Sequence, residues 1–124
     1  MSLETPIHKT QGLGSAHSGL SHFVNQRVSA IALFPLTIWF AVSVLGLIGA
    51  NAVSVLIFLS NPVNAVLMAA FVSLSLYHWE LGISSSFVDY VAHEGARIFL
   101  TLLGRAFAIA VAAVCIFALL RIAL

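Results

Sequence analysis

The sequence predicts an all-α integral membrane protein with three transmembrane helices. Of its 124 residues, 61% are hydrophobic and 7% are charged, whereas soluble domains carry about 25% charged residues. The mean hydropathy is +1.11, and long runs of the chain have no charge, as bilayer-spanning helices require. The net charge is +1, and no basic stripe with interleaved aromatic residues exists, which excludes a nucleic-acid-binding protein.

The first predicted span covers residues 28–50, which contain no charged residue. This run exceeds the length of about 20 residues that a helix needs to cross the bilayer. Pro35 lies in its interior and removes one backbone donor, so we expect a kink there. Neighbouring helices or Ser29 would compensate for the lost hydrogen bond.

Two further spans follow. The second is expected to begin at Pro62, a residue type favoured in the first turn of a helix, and to continue through Ile83. The third covers about residues 98–120, with Arg105 as its only charge. The intervening apolar stretch, residues 53–60, is too short to cross and predicts a helix extension or an interfacial segment.

The spans divide the chain into an N-terminal tail, residues 1–24, and a three-helix membrane anchor domain, residues 25–124. The tail is polar and rich in glycine and serine, and it lacks the apolar core of a signal peptide. Cys115 is the one cysteine in the chain and lies in an apolar run, which rules out an intrachain disulfide.

The basic residues predict the orientation, because short cytoplasmic loops collect Lys and Arg. Lys9 and Arg27 precede the first predicted span, and Arg97 closes the predicted loop of residues 81–97. The loop of residues 51–61 has no basic residue. We therefore expect the N-terminus and the loop between the second and third spans to face the cytoplasm (or the mitochondrial matrix).

His78 is a polar residue inside the second apolar run, about one to two turns from its predicted end. A neutral imidazole offers one donor and one acceptor nitrogen and is a good haem iron ligand. Packing is an equally weighted alternative, in which the ring bonds to a serine or a carbonyl of another helix. No other histidine lies well inside a span, so a bis-histidine haem would take its second ligand from another polypeptide.

Asp89 and Tyr90 follow His78 at eleven and twelve positions, in the predicted cytoplasmic loop. A phenol hydroxyl can donate to a quinone carbonyl, and a neighbouring carboxylate can orient the phenol or relay protons. For an isolated pair of this kind, an interfacial tyrosine and a helix-capping aspartate are the favoured alternative.

Arg27 and Arg105 need anionic partners if they lie in the membrane. Haem propionates, a quinone site or carboxylates of other subunits would serve. The alternatives are a positive-inside anchor for Arg27 and a snorkelling side chain for Arg105, and we favour the second of these. Glu80 and Glu94 are expected near the interface and are assigned no role.

These residues resemble the small cytochrome b membrane anchor subunits of succinate dehydrogenase, respiratory complex II, in their alphaproteobacterial form. His78 and the Asp89-Tyr90 pair have the family's spacing. The stretch "NQRVSAIALFPLTIWF", residues 25–40, is similar to the family's Gln-Arg-Val-Thr-Ala entry to the first helix, with Ser29 in place of threonine. The three-span plan also agrees.

The resemblance implies a set of site residues. His78 would be one axial ligand of haem b, with the other supplied by the companion cytochrome b subunit of the same complex. Tyr90 would donate to a ubiquinone carbonyl near the iron–sulfur subunit, and Asp89 would be its neighbour and a possible proton-path residue. Arg27 would approach the haem propionates or the quinone pocket. In some relatives a histidine precedes the helix 1 arginine by six positions rather than the five of His22, so no role is transferred to His22.

The expected function is therefore that of a membrane anchor subunit of succinate:ubiquinone oxidoreductase in the inner (cytoplasmic) membrane. The chain has no Gly-rich dinucleotide motif and no cysteine cluster, so FAD and the iron–sulfur clusters belong to the flavoprotein and iron–sulfur partner subunits, and no catalysis is expected from this chain alone. Alternatives are the anchor of a quinol:fumarate reductase or a purely structural anchor without haem. A transporter is disfavoured by the scarcity of intramembrane carboxylates.

Overall fold

The fold is known from a computed structural model that describes the backbone of residues 14–124 and the side chains of residues 19–124. Lys9 and most of the predicted tail lie outside the described residues. All regular secondary structure of the described part is helical, as predicted, and this part contains no strand. Its four helices, in chain order, are α1 (Gly14–Gly46), α2 (Ala52–Ser60), α3 (Pro62–Tyr90) and α4 (Glu94–Ala123).

Three of these helices are long and apolar enough to cross a membrane. The spanning portion of α1, Gly19–Gly46, has 28 residues, α3 has 29 and α4 has 30. At 1.5 Å per residue each is about 42–45 Å long, which exceeds the hydrocarbon core of about 30 Å. The three predicted spans are confirmed. The short α2, with 9 residues, is the predicted segment that does not cross.

The second and third spans are longer than the sequence suggested, and the predicted loop of residues 81–97 is wrong. Helix α3 continues to Tyr90 and α4 starts at Glu94, so residues 91–93 alone connect them. The serines that suggested a loop bond within the helix: Ser85 Oγ donates to the carbonyl of Leu81 at 3.1 Å and Ser86 Oγ to that of Gly82 at 3.2 Å. Their hydroxyl groups are satisfied without leaving helical geometry.

Helix α1 also begins earlier than predicted, at Gly14, and passes through Pro35 without interruption. Arg27 therefore lies inside the helix rather than at its start. Residues 14–24, assigned to the tail, are helical, and the domain boundary at residue 24 stays a prediction. Ser29 does not compensate for Pro35, because its hydroxyl donates to the carbonyl of Gln26 at 3.0 Å.

Two asparagines start the helices that follow the first turn. Gly49 has φ +80°, a conformation that favours glycine, and the chain then reaches Asn51, whose Oδ1 accepts from the backbone N–H of Ser54 at 2.9 Å. Asn61 Oδ1 accepts from the N–H of Val63 at 3.0 Å, with Pro62 in the first helical turn. The predicted start of the second span is confirmed.

Helix α3 is the centre of the fold. Helices α1 and α4 both pack against it, whereas α1 and α4 make no contact with each other in residues 14–124. The rings of Phe40 and Phe71 stack at 4.5 Å between α1 and α3, and those of Trp79 and Phe107 lie 5.9 Å apart between α3 and α4. Both α1 and α4 run antiparallel to α3, so α3 presents one face to each neighbour.

Candidate functional site

His78 lies on the face of α3 that packs against α1. Its Nδ1 atom is 2.8 Å from Ser29 Oγ, and the ring is half-buried. Ser29 is only 5% exposed, and its Oγ also lies 3.0 Å from the carbonyl oxygen of Gln26, to which it donates. The serine therefore connects the histidine to the backbone of the neighbouring helix.

The hydrogen bonds around Ser29 indicate which nitrogen of the imidazole carries the proton. A hydroxyl has one proton, and Ser29 donates it to Gln26, so Ser29 Oγ accepts the proton of His78 Nδ1. The neutral ring then carries its lone pair on Nε2. A serine on another helix is the contact that the packing interpretation expects, but it satisfies one nitrogen, and Nε2 has no hydrogen-bond partner within residues 19–124.

The amide of Gln26 completes the surroundings of His78 on α1. Its Oε1 is the one buried side-chain oxygen or nitrogen of the described residues without a hydrogen-bond partner. Gly82, one turn beyond His78, faces this amide: a Cβ at Gly82 would lie 3.5 Å from Gln26 Nε2. That spacing admits a methyl group, whereas the further carbons of a large side chain would have to displace the Gln26 side chain.

Asp89 lies at the end of the same interface. It lines a groove of about 550 Å³ between α1 and α3 together with Gly19, His22, Ser85 and Val88. Tyr90 points away from the bundle and is 88% exposed. No hydrogen bond joins Asp89 to Tyr90 in the described structure, so the aspartate does not orient the phenol within this chain.

His78 and the Asp89-Tyr90 pair lie far apart along α3. Eleven residues correspond to a rise of about 16 Å and slightly more than three full turns, so Asp89 shares the α1-facing side with His78. Tyr90 is about 18 Å from His78 along the axis and is rotated by about 120°. The expectation that His78 lies one to two turns from the helix end is wrong, because α3 extends to Tyr90. His78 and the Asp89-Tyr90 pair share a helix but not one pocket.

Arg27 contacts neither part of this site. Its guanidinium carbon lies 5.1 Å from the centre of the Phe23 ring, one turn earlier in α1, in the geometry of a cation–π contact. The side chain is exposed and forms no ion pair in the described part of the chain.

An ion pair between α3 and α4 was missed by the sequence interpretation. Arg105 Nε lies 3.1 Å from Glu80 Oε1, and Ser84 Oγ donates to the same oxygen at 3.2 Å. Glu80 is only 7% exposed and pairs with Arg105, a contact that the expectations of an interfacial Glu80 and a snorkelling Arg105 did not include. A carboxylate well inside one apolar run and an arginine well inside the next are a signal that could have predicted the pair.

The ion pair borders a cleft of about 440 Å³ over α3. Polar side chains from all three long helices line it, among them Asn25, Ser73 and Tyr77. Because α1 and α4 do not meet, this side of α3 stays open. Within residues 19–124, no three His, Cys, Asp or Glu side chains lie close enough to hold a metal ion.

Comparison with known proteins identifies the family of the chain. Residues 1–120 match the model of the succinate dehydrogenase/fumarate reductase transmembrane subunit family. The chain belongs to this family. Membership in a family of transmembrane subunits agrees with the three apolar helices, and the chain is a multi-pass membrane protein.

Relatives within the succinate dehydrogenase/fumarate reductase transmembrane subunit family confirm the resemblance. A protein of Paracoccus denitrificans is 34% identical over 120 residues, which cover 97% of this chain and 92% of the relative. Proteins of Rickettsia bellii and Rickettsia conorii are each 31% identical, over 73% and 83% of this chain and 73% and 82% of their own lengths. All three are named succinate dehydrogenase hydrophobic membrane anchor subunit. No solved structure matches the chain significantly.

Proposed function

We propose that the chain is the membrane anchor subunit of a succinate:ubiquinone oxidoreductase and that it provides one axial ligand of haem b and part of the ubiquinone-reduction site. The observation that carries this proposal is the hydrogen bonding of the two ring nitrogens of His78. Its Nδ1 is bonded to Ser29, and the lone pair of Nε2 is left without a partner in an apolar helix. The names of the relatives support the role of anchor.

The donor set fits a haem shared between two chains. An imidazole whose Nδ1 proton is engaged offers Nε2 to a metal, and no second histidine of the described residues lies deep in a span: His22 is the fourth residue of the first span and His93 caps the start of α4. The second axial ligand would come from the companion cytochrome b subunit. Bound there, haem b supplies a one-electron redox centre. The exposed guanidinium of Arg27, free of carboxylates in the described part, would hold an anionic group such as a propionate or the edge of the quinone pocket.

Tyr90 and Asp89 would form this chain's wall of the ubiquinone site. The exposed Tyr90 hydroxyl donates to a carbonyl oxygen of the quinone, and Asp89, in the groove between α1 and α3, can pass protons from water towards it. Reduction of the quinone to quinol takes two electrons and two protons. The electrons come from succinate oxidation at FAD in the flavoprotein subunit and arrive through the clusters of the iron–sulfur subunit.

The catalytic partners would dock where Tyr90 emerges from the membrane. The basic residues favour a cytoplasmic N-terminus and a cytoplasmic α3–α4 connection in the inner membrane. The N-terminal end of α1 and the C-terminal end of α3 then both meet the iron–sulfur subunit on the cytoplasmic side of the membrane. The family includes fumarate reductases, but the names of all three relatives favour succinate as the electron donor.

Purification of the complex through a tag on this chain tests the proposal. Mass spectrometry should find a flavoprotein, an iron–sulfur protein and a second cytochrome b chain in equal amounts, and the preparation should reduce ubiquinone with succinate. A chain that purifies without these partners, or with a complex indifferent to quinone, would contradict the proposal.

A further inference from the structure

We infer that Ser29 is a positioning residue for His78: it holds the imidazole in the tautomer that carries its proton on Nδ1 and so presents Nε2 to the iron. The inference rests on the proposed function, since it concerns the same ligand. The inference goes beyond the proposed function because it identifies the residue of α1 that selects which nitrogen of His78 binds the iron.

The first step is the geometry of the serine. Its oxygen lies 2.8 Å from His78 Nδ1 and 3.0 Å from the carbonyl oxygen of Gln26, distances at which both contacts are full hydrogen bonds. One contact must use the hydroxyl proton and the other a lone pair. The carbonyl of Gln26 has no proton to give, so the imidazole donates.

The second step is that the serine is fixed. It is 5% exposed and enclosed where α1 and α3 cross, and its hydroxyl is bonded to the backbone of its own helix. Rotation of the side chain would break the bond to Gln26 as well as the bond to His78. The buried amide of Gln26 lies one turn away against Gly82, which keeps the two helices in close approach at this point.

The third step is the effect on the ligand. A histidine whose second nitrogen donates a hydrogen bond has a fixed ring orientation and a more basic metal-binding nitrogen. Without the serine, the ring is free to carry its proton on Nε2 and to rotate. Loss of the acceptor should therefore weaken the bond to iron and favour the ferrous state, because ferric iron depends more on a strongly donating ligand.

The test uses substitutions of Ser29 in the intact complex. Ser29→Ala removes the acceptor, Ser29→Cys replaces it with a weak acceptor of similar volume, and Ser29→Thr keeps the hydroxyl. Ser43→Ala is the matched control, since Ser43 is a half-buried serine of the same helix whose Oγ donates to the carbonyl of Trp39 at 2.8 Å and touches no histidine. Haem dissociation to an apo-haem acceptor and the haem midpoint potential are measured for each.

Ser29→Ala and Ser29→Cys should release haem about 10-fold faster or more, and both should shift the midpoint potential upwards. Ser29→Thr and Ser43→Ala should match wild type. If Ser29→Ala loses assembly, Ser29→Cys gives the decisive potential. Wild-type haem release and potential in the alanine and cysteine variants would overturn the inference while the haem assignment stands. A wild-type complex without haem would overturn both.

Discussion

Replacement of Arg105 by leucine should destabilise the packing of α3 against α4. The substitution leaves the Glu80 carboxylate, 7% exposed, with the Ser84 hydroxyl as its remaining hydrogen-bond partner in the described structure. Removal of one partner of a buried ion pair typically costs about 3–5 kcal/mol. We expect the lower end, about 3 kcal/mol, because Ser84 still donates and the Arg105 side chain is 59% exposed.

The double substitution Glu80→Met with Arg105→Leu tests whether the single variant loses stability because the buried Glu80 carboxylate is left unpaired. Replacing both charges by apolar side chains removes the desolvation cost as well as the attraction, so the double variant should return to within about 1 kcal/mol of wild type. The cycle should then show a coupling free energy of about 2 kcal/mol or more.

Chemical unfolding of the purified complex in mixed micelles measures these free energies. Tryptophan fluorescence includes a signal from this contact, because Trp79, one of the two tryptophans of the chain, lies 5.9 Å from Phe107 of α4 beside the ion pair. Arg121→Leu is the control, since Arg121 forms no ion pair in the described part of the chain, and it should change the free energy of unfolding by less than about 1 kcal/mol. An Arg105→Leu variant as stable as this control, or a double variant less stable than both singles, would refute the reasoning.

Three further results are expected. Tyr90→Phe removes the exposed hydroxyl and should lower succinate-dependent ubiquinone reduction at unchanged haem content, whereas the control Tyr77→Phe should not; equal rates would remove Tyr90 from the quinone site. Gly82→Ala should assemble normally and Gly82→Leu should not, because the Cβ position is 3.5 Å from Gln26 Nε2; haem content and gel filtration decide this. Reporter fusions at the α3–α4 connection and at the C-terminus should lie on opposite sides of the membrane, and the same side for both would contradict three crossings.

The number of spans and the start of α3 follow from the sequence because they depend on local properties. Uncharged runs of sufficient length identify bilayer-spanning helices, and the Asn61-Pro62 pair combines a capping side chain with a residue suited to the first turn.

The end of α3 could not be predicted from the sequence, because serines occur both in loops and inside membrane helices. Three consecutive serines, Ser84 to Ser86, are typical of a loop, but each hydroxyl here donates within the helix, two to backbone carbonyls and one to Glu80. In an apolar surrounding that bond replaces water, so the helix continues to Tyr90.

The contacts of the candidate site depend on how the helices pair. The sequence singles out His78 as a polar residue in a span but does not say that Ser29 faces it, because the register of α1 against α3 is a property of packed side chains. The same holds for Glu80 and Arg105, which are adjacent only because α3 and α4 run antiparallel. A polar residue inside a span predicts a partner, and the fold identifies which one.

The reduced-minus-oxidised optical spectrum of the purified complex tests the central claim most directly. We expect a sharp band of bis-histidine haem b in wild type and its loss in His78→Ala. The matched control is His93→Asn, which keeps a capping acceptor at the start of α4, where His93 Nδ1 accepts from the N–H of Ala96 at 3.3 Å, and it should retain the band. A wild-type complex without the band, or a His78→Ala complex with an unchanged band, would contradict the assignment of His78 as an iron ligand.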